Sequence, residues 1–162
     1  MYIFQKIKNQ VEKIKNRLYA RKLKKYLSEF KSYGNNCFIQ FPVRIEGKEF
    51  VSLGNNASIN SFVHIWGHGQ VNIGNDVLIA SHVSIVSVTH DKNAQLFRDT
   101  VVKKPVTIGN NVWLGSNSVI LPGVTIGNNV IVGAGSVVTK DLGENAIYVG
   151  SPAKKLRDLH QF

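Results

Sequence analysis

The stretch PVTIGNNVWLGSNSVILPGVTIGNNVIVGAGSVV (105–138) carries an aliphatic residue at every sixth position. The same spacing runs through two earlier stretches, and the column reads Leu53, Ile59, Ile65, then Ile73, Ile79, Ile85, then Ile108, Leu114, Ile120, Ile126, Val132, Val138. A period of six matches neither the helical period of 3.6 nor the strand period of 2. It is typical of short strands joined by tight corners, each strand pointing one aliphatic side chain inward. The repeat therefore predicts an all-β fold, a parallel β-helix.

The corners of this predicted β-helix have their own signature. Gly-Asn-Asn or Gly-Asn-Asp steps recur at 54–56, 74–76, 109–111 and 127–129. Glycine and asparagine are the residues that best tolerate the positive φ of a tight corner. Each coil would pair its backbone with its neighbours, so that a narrow aliphatic column suffices as a core.

Two interruptions break the repeat, and they determine how the coils align. Residues 66–72 carry two extra residues, and residues 91–107 leave the repeat between Ile85 and Ile108. With three repeats per turn, three columns are predicted, one per face: Leu53, Ile73, Ile108 and Ile126; Ile59, Ile79, Leu114 and Val132; Ile65, Ile85, Ile120 and Val138. The polar loop is then extruded at one corner, where binding and catalysis often concentrate.

Composition limits the class of protein. A chain of 162 residues with 43% hydrophobic and 19% charged residues suits one globular domain with an appendage. The single cysteine, Cys37, excludes an internal disulfide and fits a reducing compartment. No apolar stretch reaches the roughly 20 residues that span a bilayer, and the N-terminal sequence lacks a secretory h-region. We expect a cytoplasmic protein.

The N-terminal segment is strongly basic and has a helical period. Residues 1–31 hold 10 of the 20 Lys and Arg residues and two acids, a local net charge of +8. An apolar stripe at alternating spacings of three and four predicts an α-helix: Phe4, Ile7, Val11, Ile14 and Leu18. Two roles are equally open: contact with an anionic membrane at its inner face, or packing of the stripe on the core or on another subunit. Nucleic acid is not expected, because no stacking platform accompanies the charge.

Four stretches of the chain together resemble a known family. They are IGNDVLIASHVSIVSVTHD (73–91), PVTIGNNVWLGSNSVILPGVTIG (105–127), VIVGAGSVVTKD (130–141) and VGSPAKKLR (149–157). In this order they resemble the hexapeptide-repeat acyltransferases, in the sugar O-acetyltransferase branch that includes galactoside and maltose acetyltransferases. The resemblance implies a left-handed β-helix, a homotrimer and acetyl-CoA as acyl donor. The lysine-rich N-terminal helix departs from this branch, whose N-terminal segment helps to shape the acceptor pocket.

His90 is the candidate general base. It ends the last repeat before the extruded loop, and the resemblance puts the family's catalytic histidine at the same place. An acceptor hydroxyl is a poor nucleophile, and a neutral imidazole can take its proton during attack on a thioester. His64, His68, His82 and His160 are read as structural or surface residues. His64 and His82 are eighteen apart, but the extra residues at 66–72 predict Ser84 over His64, so no metal site is expected.

The candidate coenzyme residues follow from spacing and from resemblance together. Ser116 and Ala134 lie eighteen residues apart, so they are predicted to stack on successive coils and to form a narrow strip for a pantetheine arm. The resemblance adds Trp113, Gly115, Thr139 and Lys140. It also adds Lys154 and Arg157, which match basic residues near the coenzyme phosphates.

Asn60 matches a family position that contacts the acceptor sugar. Counting repeats puts Asn60 on the second face and His90 at the corner that ends the third. One chain cannot easily bring both to one substrate, so we expect active sites between the subunits of a C3 trimer.

The predicted organisation is a basic helical extension (1–33), a β-helix domain (34–150) with its extruded loop (91–107), and a C-terminal tail (151–162) with a short helix. The predicted function is acetyl-CoA-dependent O-acetylation of a sugar hydroxyl, the acceptor being a surface-polysaccharide or glycolipid precursor. Two alternatives remain: N-acetylation of an amino-sugar nucleotide, and a non-catalytic trimeric β-helix scaffold.

Overall fold

A computed structural model describes residues 2–159, with side chains from residue 4 onward; His160 lies outside this range. One helix, α1 (Tyr2–Leu27), precedes nineteen short strands. The strands are β1 (Ser32–Tyr33), β2 (Phe38–Ile39), β3 (Arg44–Glu46), β4 (Val51–Leu53), β5 (Ser58–Ile59), β6 (His64–Trp66), β7 (Val71–Ile73), β8 (Leu78–Ile79), β9 (Ser84–Val86), β10 (Val88–Thr89), β11 (Val102–Lys103), β12 (Val106–Ile108), β13 (Trp113–Leu114), β14 (Val119–Ile120), β15 (Thr125–Ile126), β16 (Val130–Val132), β17 (Val137–Val138), β18 (Ala146–Val149) and β19 (Lys154–Asp158). Single 3₁₀ turns occur at Lys48–Phe50 and Phe97–Asp99.

The strands wind into a β-helix with three faces, as the repeat predicts. The first face is β1-β4-β7-β12-β15, the second is β2-β5-β8-β13-β16-β18-β19, and the third is β3-β6-β9-β14-β17. Leu53 aligns with Ile73, Ile73 with Ile108, and Ile108 with Ile126. The other two columns align as predicted as well. Register follows the aliphatic pattern because a slip of one residue would turn these side chains outward.

The core is the stack of inward aliphatic side chains. Ile59, Ile65, Ile79 and Ile85 are fully buried. A further coil, absent from the predicted columns, extends this stack: the buried Ile39 aligns with Ile59, and the buried Ile45 with Ile65. Tyr33 aligns with Leu53 but is 43% exposed. The β-helix therefore begins at Ser32, two residues before the predicted boundary.

Asparagine side chains join the coils at the corner between the first and second faces. The Oδ1 atoms of Asn55, Asn75, Asn110 and Asn128 each accept a 2.8 Å hydrogen bond from a backbone N–H of the preceding coil. Glycine is required beside them, since a Cβ on Gly54 would lie 2.5 Å from the backbone carbon of Gly74. The Gly-Asn steps of the sequence thus serve both close packing and backbone pairing.

The C-terminal part of α1 covers the open end of the first coil. Leu27 and the following Phe30 are buried. The Tyr19 hydroxyl donates a 3.0 Å hydrogen bond to the Ile39 carbonyl, and the Tyr26 ring packs edge-on against Phe41 at 5.1 Å. Capping of this kind protects the exposed end of a repeat fold.

The apolar stripe of α1 does not pack on the chain's own core. Phe4, Ile7, Val11, Ile14 and Leu18 are all exposed, with Phe4 at 80%. Packing on the core of the same chain, one alternative for this stripe, is therefore wrong. Residues 19–30 make the contacts instead.

The predicted tail helix is also wrong. Residues 154–158 form β19, which pairs antiparallel with β18 at the edge of the second face. The physical reason is that β18 ends the sheet and leaves backbone groups unpaired, and the returning chain satisfies them.

Candidate active site

Two corners border the third face, and they hold different groups of candidate residues. The corner between the second and third faces contains residues 60–62, 80–82, 115–117 and 133–135, and we call it the small-residue corner. The corner between the third and first faces contains residues 66–70, 86–105, 121–124 and 139–141, and we call it the loop corner. The extruded loop leaves the β-helix at the loop corner.

The base of the loop is a short antiparallel hairpin formed by β10 and β11. Val88 pairs with Lys103, and Thr89 with Val102, so regular structure continues well into the predicted loop of 91–107. The residues beyond the hairpin carry exposed apolar side chains, Leu96, Phe97 and Val101.

Ser87 anchors this hairpin to the preceding coil. Its side chain is fully buried. The Ser87 hydroxyl accepts a 2.9 Å hydrogen bond from the Gly69 N–H and donates a 2.7 Å bond to the Trp66 carbonyl. The backbones are so close that a Cβ on Gly69 would lie 1.9 Å from the Ser87 carbonyl oxygen. The interruption at 66–72 therefore contacts the base of the hairpin and holds it in place through Ser87.

His90 follows the first hairpin strand and is exposed at the loop corner. Its Nδ1 lies 2.8 Å from the Thr100 carbonyl oxygen. A carbonyl oxygen can only accept, so this contact requires the proton on Nδ1, and in a neutral imidazole Nε2 is then the nitrogen with a lone pair. Thr100 also accepts a 3.2 Å hydrogen bond from the Asp91 N–H through its Oγ1. The two ends of the loop are thus joined to each other, and the Thr100 carbonyl holds the imidazole.

The small-residue corner brings together Gly115, Ser116 and Ala134. Ser116 and Ala134 occupy equivalent corner positions, and the Gly135 N–H donates a 2.9 Å hydrogen bond to the Ser116 carbonyl. A Cβ on Gly115 would lie 2.6 Å from the Ala134 nitrogen, so glycine permits this close approach of coils. Trp113 points outward from the second face and is 47% exposed. The spacing prediction of a strip with small side chains agrees with this geometry.

Thr139 and Lys140 are not part of that strip. They lie at the loop corner, one full sheet away from Ser116 and Ala134, and both are exposed. Their corner also contains Asp141, whose Oδ1 accepts a 2.7 Å hydrogen bond from the Thr125 N–H. Within one chain, the eight candidate coenzyme residues therefore form separate groups.

Lys154 and Arg157 lie on β19, at the end of the second face. Lys155 forms a 2.5 Å ion pair with Asp158, and that hydrogen bond raises the pKa of the Lys155 ammonium. Among residues 2–159, Lys154 and Arg157 form no ion pair with an acidic side chain. Their positive charges are therefore available to an anionic group.

Asn60 and His90 are not brought together within the chain. Asn60 lies at the small-residue corner, in the column of Ala80, Gly115 and Gly133. His90 lies at the loop corner, across the third face.

The remaining histidines have structural surroundings. His64 pairs with Ser84, as the counting of repeats predicted. His82 stacks on Phe62 with ring centroids 5.0 Å apart. His68 lies beside the Phe50 ring at 6.4 Å. In the described part of the chain, no three His, Cys, Asp or Glu side chains are grouped so that they could hold a metal ion.

Ser87 and Thr100 are site residues that sequence reasoning missed. Ser87 is one of several serines near strand ends, and Ser118 and Ser136 are equally buried. Ser87 is distinguished by its hydrogen bonds to Gly69 and Trp66, which only the folded structure shows. Thr100 bonds to His90, ten residues away, through its backbone carbonyl. Every residue has this group, so the residue type at position 100 does not reveal the contact.

Comparisons with known families locate part of the chain. The family model described as bacterial transferase hexapeptide (six repeats) matches residues 105–140. A comparison with curated protein sequences gives no match.

Several solved structures are similar over most of the chain. A galactoside acetyltransferase in complex with coenzyme A is 36% identical, with a TM-score of 0.83 over 87% of this chain and 72% of that chain. A maltose O-acetyltransferase from Clostridium difficile 630 is 30% identical, with a TM-score of 0.77 over 91% of this chain and 88% of that chain. A mutant of AntD, an N-acyltransferase from Bacillus cereus, in complex with dTDP-4-amino-4,6-dideoxyglucose and coenzyme A, is 27% identical, with a TM-score of 0.67 over 88% of this chain and 90% of that chain.

Replacing Ser87 with alanine should destabilise the protein and loosen the hairpin. The substitution removes a partner from the buried Gly69 N–H, which costs about 1–3 kcal/mol of unfolding free energy. Denaturant unfolding measures the loss, and Ser84→Ala, in the neighbouring strand β9, is the control, with an expected change within about 0.5 kcal/mol. Equal stability of the two variants would contradict an anchoring role for Ser87.

Proposed function

The chain belongs to the hexapeptide-repeat acyltransferase family, whose fold is the left-handed β-helix, and we propose that it transfers an acetyl group from acetyl-CoA to a sugar hydroxyl. The observation that carries the proposal is the 36% identity to a galactoside acetyltransferase in complex with coenzyme A. The similarity to a maltose O-acetyltransferase supports the same reaction class. Membership in an enzyme family also argues against the alternative of a non-catalytic scaffold.

His90 is the general base in this proposal. The hydrogen bond from Nδ1 to the Thr100 carbonyl fixes the tautomer in which Nε2 can accept a proton. The bond also holds the ring, so that the free nitrogen keeps one direction at the loop corner. Proton transfer by a positioned histidine contributes typically about 10²–10⁴-fold to rate.

In the proposed reaction, His90 takes a proton from the acceptor and passes it to the leaving coenzyme. The acceptor hydroxyl loses its proton to His90 Nε2 while its oxygen attacks the thioester carbonyl carbon. Backbone N–H groups stabilise the resulting oxyanion. The tetrahedral intermediate expels the coenzyme sulfur, which takes the proton from His90, and the products are an acetyl ester and free coenzyme A.

The coenzyme would lie along the small-residue corner. Gly115, Ser116 and Ala134 offer a low surface and backbone hydrogen-bonding groups for a pantetheine arm, with Trp113 beside them. Lys154 and Arg157, whose charges face no acidic side chain, suit the phosphates. Thr139 and Lys140 would contact the coenzyme from a neighbouring chain, since they lie at the opposite corner of their own.

A site shared between subunits reconciles these positions. In a C3 trimer, the loop corner of one chain can face the small-residue corner of the next. His90 and Thr139 of one subunit would then meet Asn60 and Ser116 of its neighbour. We propose three such sites in a homotrimer.

The acceptor we propose is a precursor of a surface polysaccharide or glycolipid, acetylated in the cytoplasm. The extruded loop is short, which argues against an antibiotic as acceptor. The basic amphipathic part of α1 suits a membrane surface, which fits a lipid-linked acceptor. Mass spectrometry of host surface glycans, with and without the protein, identifies the acetylated residue.

Replacing His90 with alanine should lower kcat by about 10²–10⁴-fold, because the base is lost. Coenzyme binding should persist, since His90 is not among the residues proposed to bind the coenzyme; thermal stabilisation by coenzyme A checks this. Thr107→Ala, an exposed residue of the first face outside both corners, is the control and should retain activity. Loss of activity together with loss of stabilisation would contradict a purely chemical role for His90.

Mixing inactive subunits tests the shared site. Asn60→Ala and His90→Ala chains, each nearly inactive alone, are co-expressed so that mixed trimers form. Some interfaces then combine an intact His90 with an intact Asn60, and activity should rise well above that of either variant. No recovery in mixed trimers would mean that each site lies within one chain.

The main alternative is N-acetylation of an amino-sugar nucleotide, favoured by the similarity to AntD. Histidine assistance serves amines as well as hydroxyls, so the product decides. We expect the acetylated product to lose its acetyl group in mild alkali, because an ester hydrolyses there and an amide does not. An alkali-stable product would establish the alternative.

A further inference from the structure

The N-terminal half of α1 is a surface that the β-helix leaves uncovered. At about 1.5 Å per residue, the seventeen residues before Tyr19 extend about 25 Å. Every described side chain from Phe4 to Leu18 is exposed. The five apolar residues of the stripe have exposures of 44% to 80%. Contiguous exposed apolar surface of this kind marks a site of interaction.

The direction of the stripe excludes the β-helix of the same chain as its cover. The residues of α1 that contact the first coil are Tyr19, Leu23, Tyr26 and Leu27. With about 100° of rotation per residue, this contact side lies about 120° around the helix from the stripe. The stripe therefore faces away from the first coil even where the helix is docked.

The charges are arranged on both sides of the stripe. By the same rotation, Lys8 and Lys15 lie along one flank, and Arg17 and Arg21 along the other. Lys22 continues the first flank, but its ammonium lies 4.0 Å from the centre of the Phe41 ring. Lys6 and Lys13 lie between the arginine flank and the far side. The far side itself carries uncharged polar residues and the single acid of α1: Gln5, Asn9, Glu12 and Asn16. Long basic side chains beside an apolar stripe can extend their charged ends outward while their stems cover apolar surface.

A second copy of α1 does not fit this surface. The alternating spacing of three and four would suit a coiled-coil seam, whose flanking positions must then face each other. Here those positions include Lys8, Lys15, Arg17 and Lys22, and parallel helices would bring like charges together. An anionic surface instead matches both flanks at once.

We infer that α1 docks the protein on a bilayer rich in anionic lipid, with the stripe from Phe4 to Leu18 immersed and the basic flanks on the headgroups. A narrow apolar stripe with basic edges is typical of helices that lie in the plane of the interface. Among residues 2–159, no helix is long and apolar enough to cross a membrane.

Docking through α1 leaves the far end of the β-helix open. The helix packs on the first coil, which contributes β2 to one edge of the second face, and β19 lies at the opposite edge. Lys154 and Arg157 are therefore remote from the docked end. The inference does not depend on the reaction that the protein catalyses.

Vesicle co-sedimentation of the full chain tests the inference. We expect binding to vesicles of equal parts phosphatidylcholine and phosphatidylglycerol, weakening as salt is raised, and little binding to pure phosphatidylcholine. Binding that is indifferent to phosphatidylglycerol would overturn the proposed role of the basic flanks.

A pair of double variants isolates the stripe. Ile7→Asp with Ile14→Asp should reduce vesicle affinity at least tenfold, whereas Asn9→Asp with Asn16→Asp, on the far side, adds the same charge and should bind within a few-fold of the natural chain. Equal losses in the two double variants would refute immersion of the stripe. Unchanged thermal unfolding shows that the body is intact.

Sedimentation without lipid tests the competing explanation, in which the stripe joins two copies of the chain. If the stripe joined copies of the chain, Ile7→Asp with Ile14→Asp would shift the protein to a smaller assembly. We expect the same sedimentation coefficient for this variant and the natural chain. A smaller assembly would overturn the membrane inference in favour of helix pairing.

Discussion

Backbone pairing between successive coils is the interaction on which the rest of the structure depends. Each strand is only two to five residues long and is held by the strands above and below it. At this spacing between coils, a corner residue must either lack a side chain or have one that hydrogen-bonds to the neighbouring coil. Gly54 is needed because its neighbour is too close for a Cβ, and Asn55 bonds the preceding backbone through its side chain. The aliphatic column then fills a core too narrow for other residues.

The same constraint explains why candidate catalytic residues lie where the repeat is interrupted. Extra residues do not fit within a paired coil, so they leave the β-helix at a corner. The backbone groups of each insertion then need hydrogen-bond partners of their own. Ser87 supplies them between the expelled hairpin and the insertion beside it. His90 is held in place as well, because its Nδ1 bonds to the Thr100 carbonyl on the other side of the loop. At the coils of Gly115 and Ala134 the small-residue corner has no protruding side chain, since a Cβ on Gly115 would lie 2.6 Å from the Ala134 nitrogen.

Much of the fold was predictable because a six-residue period leaves few alternatives. The three columns, including Ser84 beside His64, follow from counting alone. The first coil follows the same pattern, with Gly-Asn-Asn at 34–36 and with Ile39 and Ile45 six residues apart, but Tyr33 stands where the other coils open with an aliphatic residue. The tail was expected to be helical, yet residues 154–158 became a strand because β18 offered an unpaired edge. Neither the edge nor the cap that α1 provides can be seen in local sequence.

The sequence by itself determined the period, the corners, the faces of the aliphatic column and the amphipathic character of residues 1–31. These features are local: each follows from the type of a residue and its spacing to the next. Tertiary structure decided which side of α1 is occupied, where the tail goes, and which atom orients His90. Those outcomes depend on backbone groups and on surfaces that meet only after the chain has wound. Residue type records a side chain's chemistry, but it does not record which backbone carbonyl will lie 2.8 Å from an imidazole.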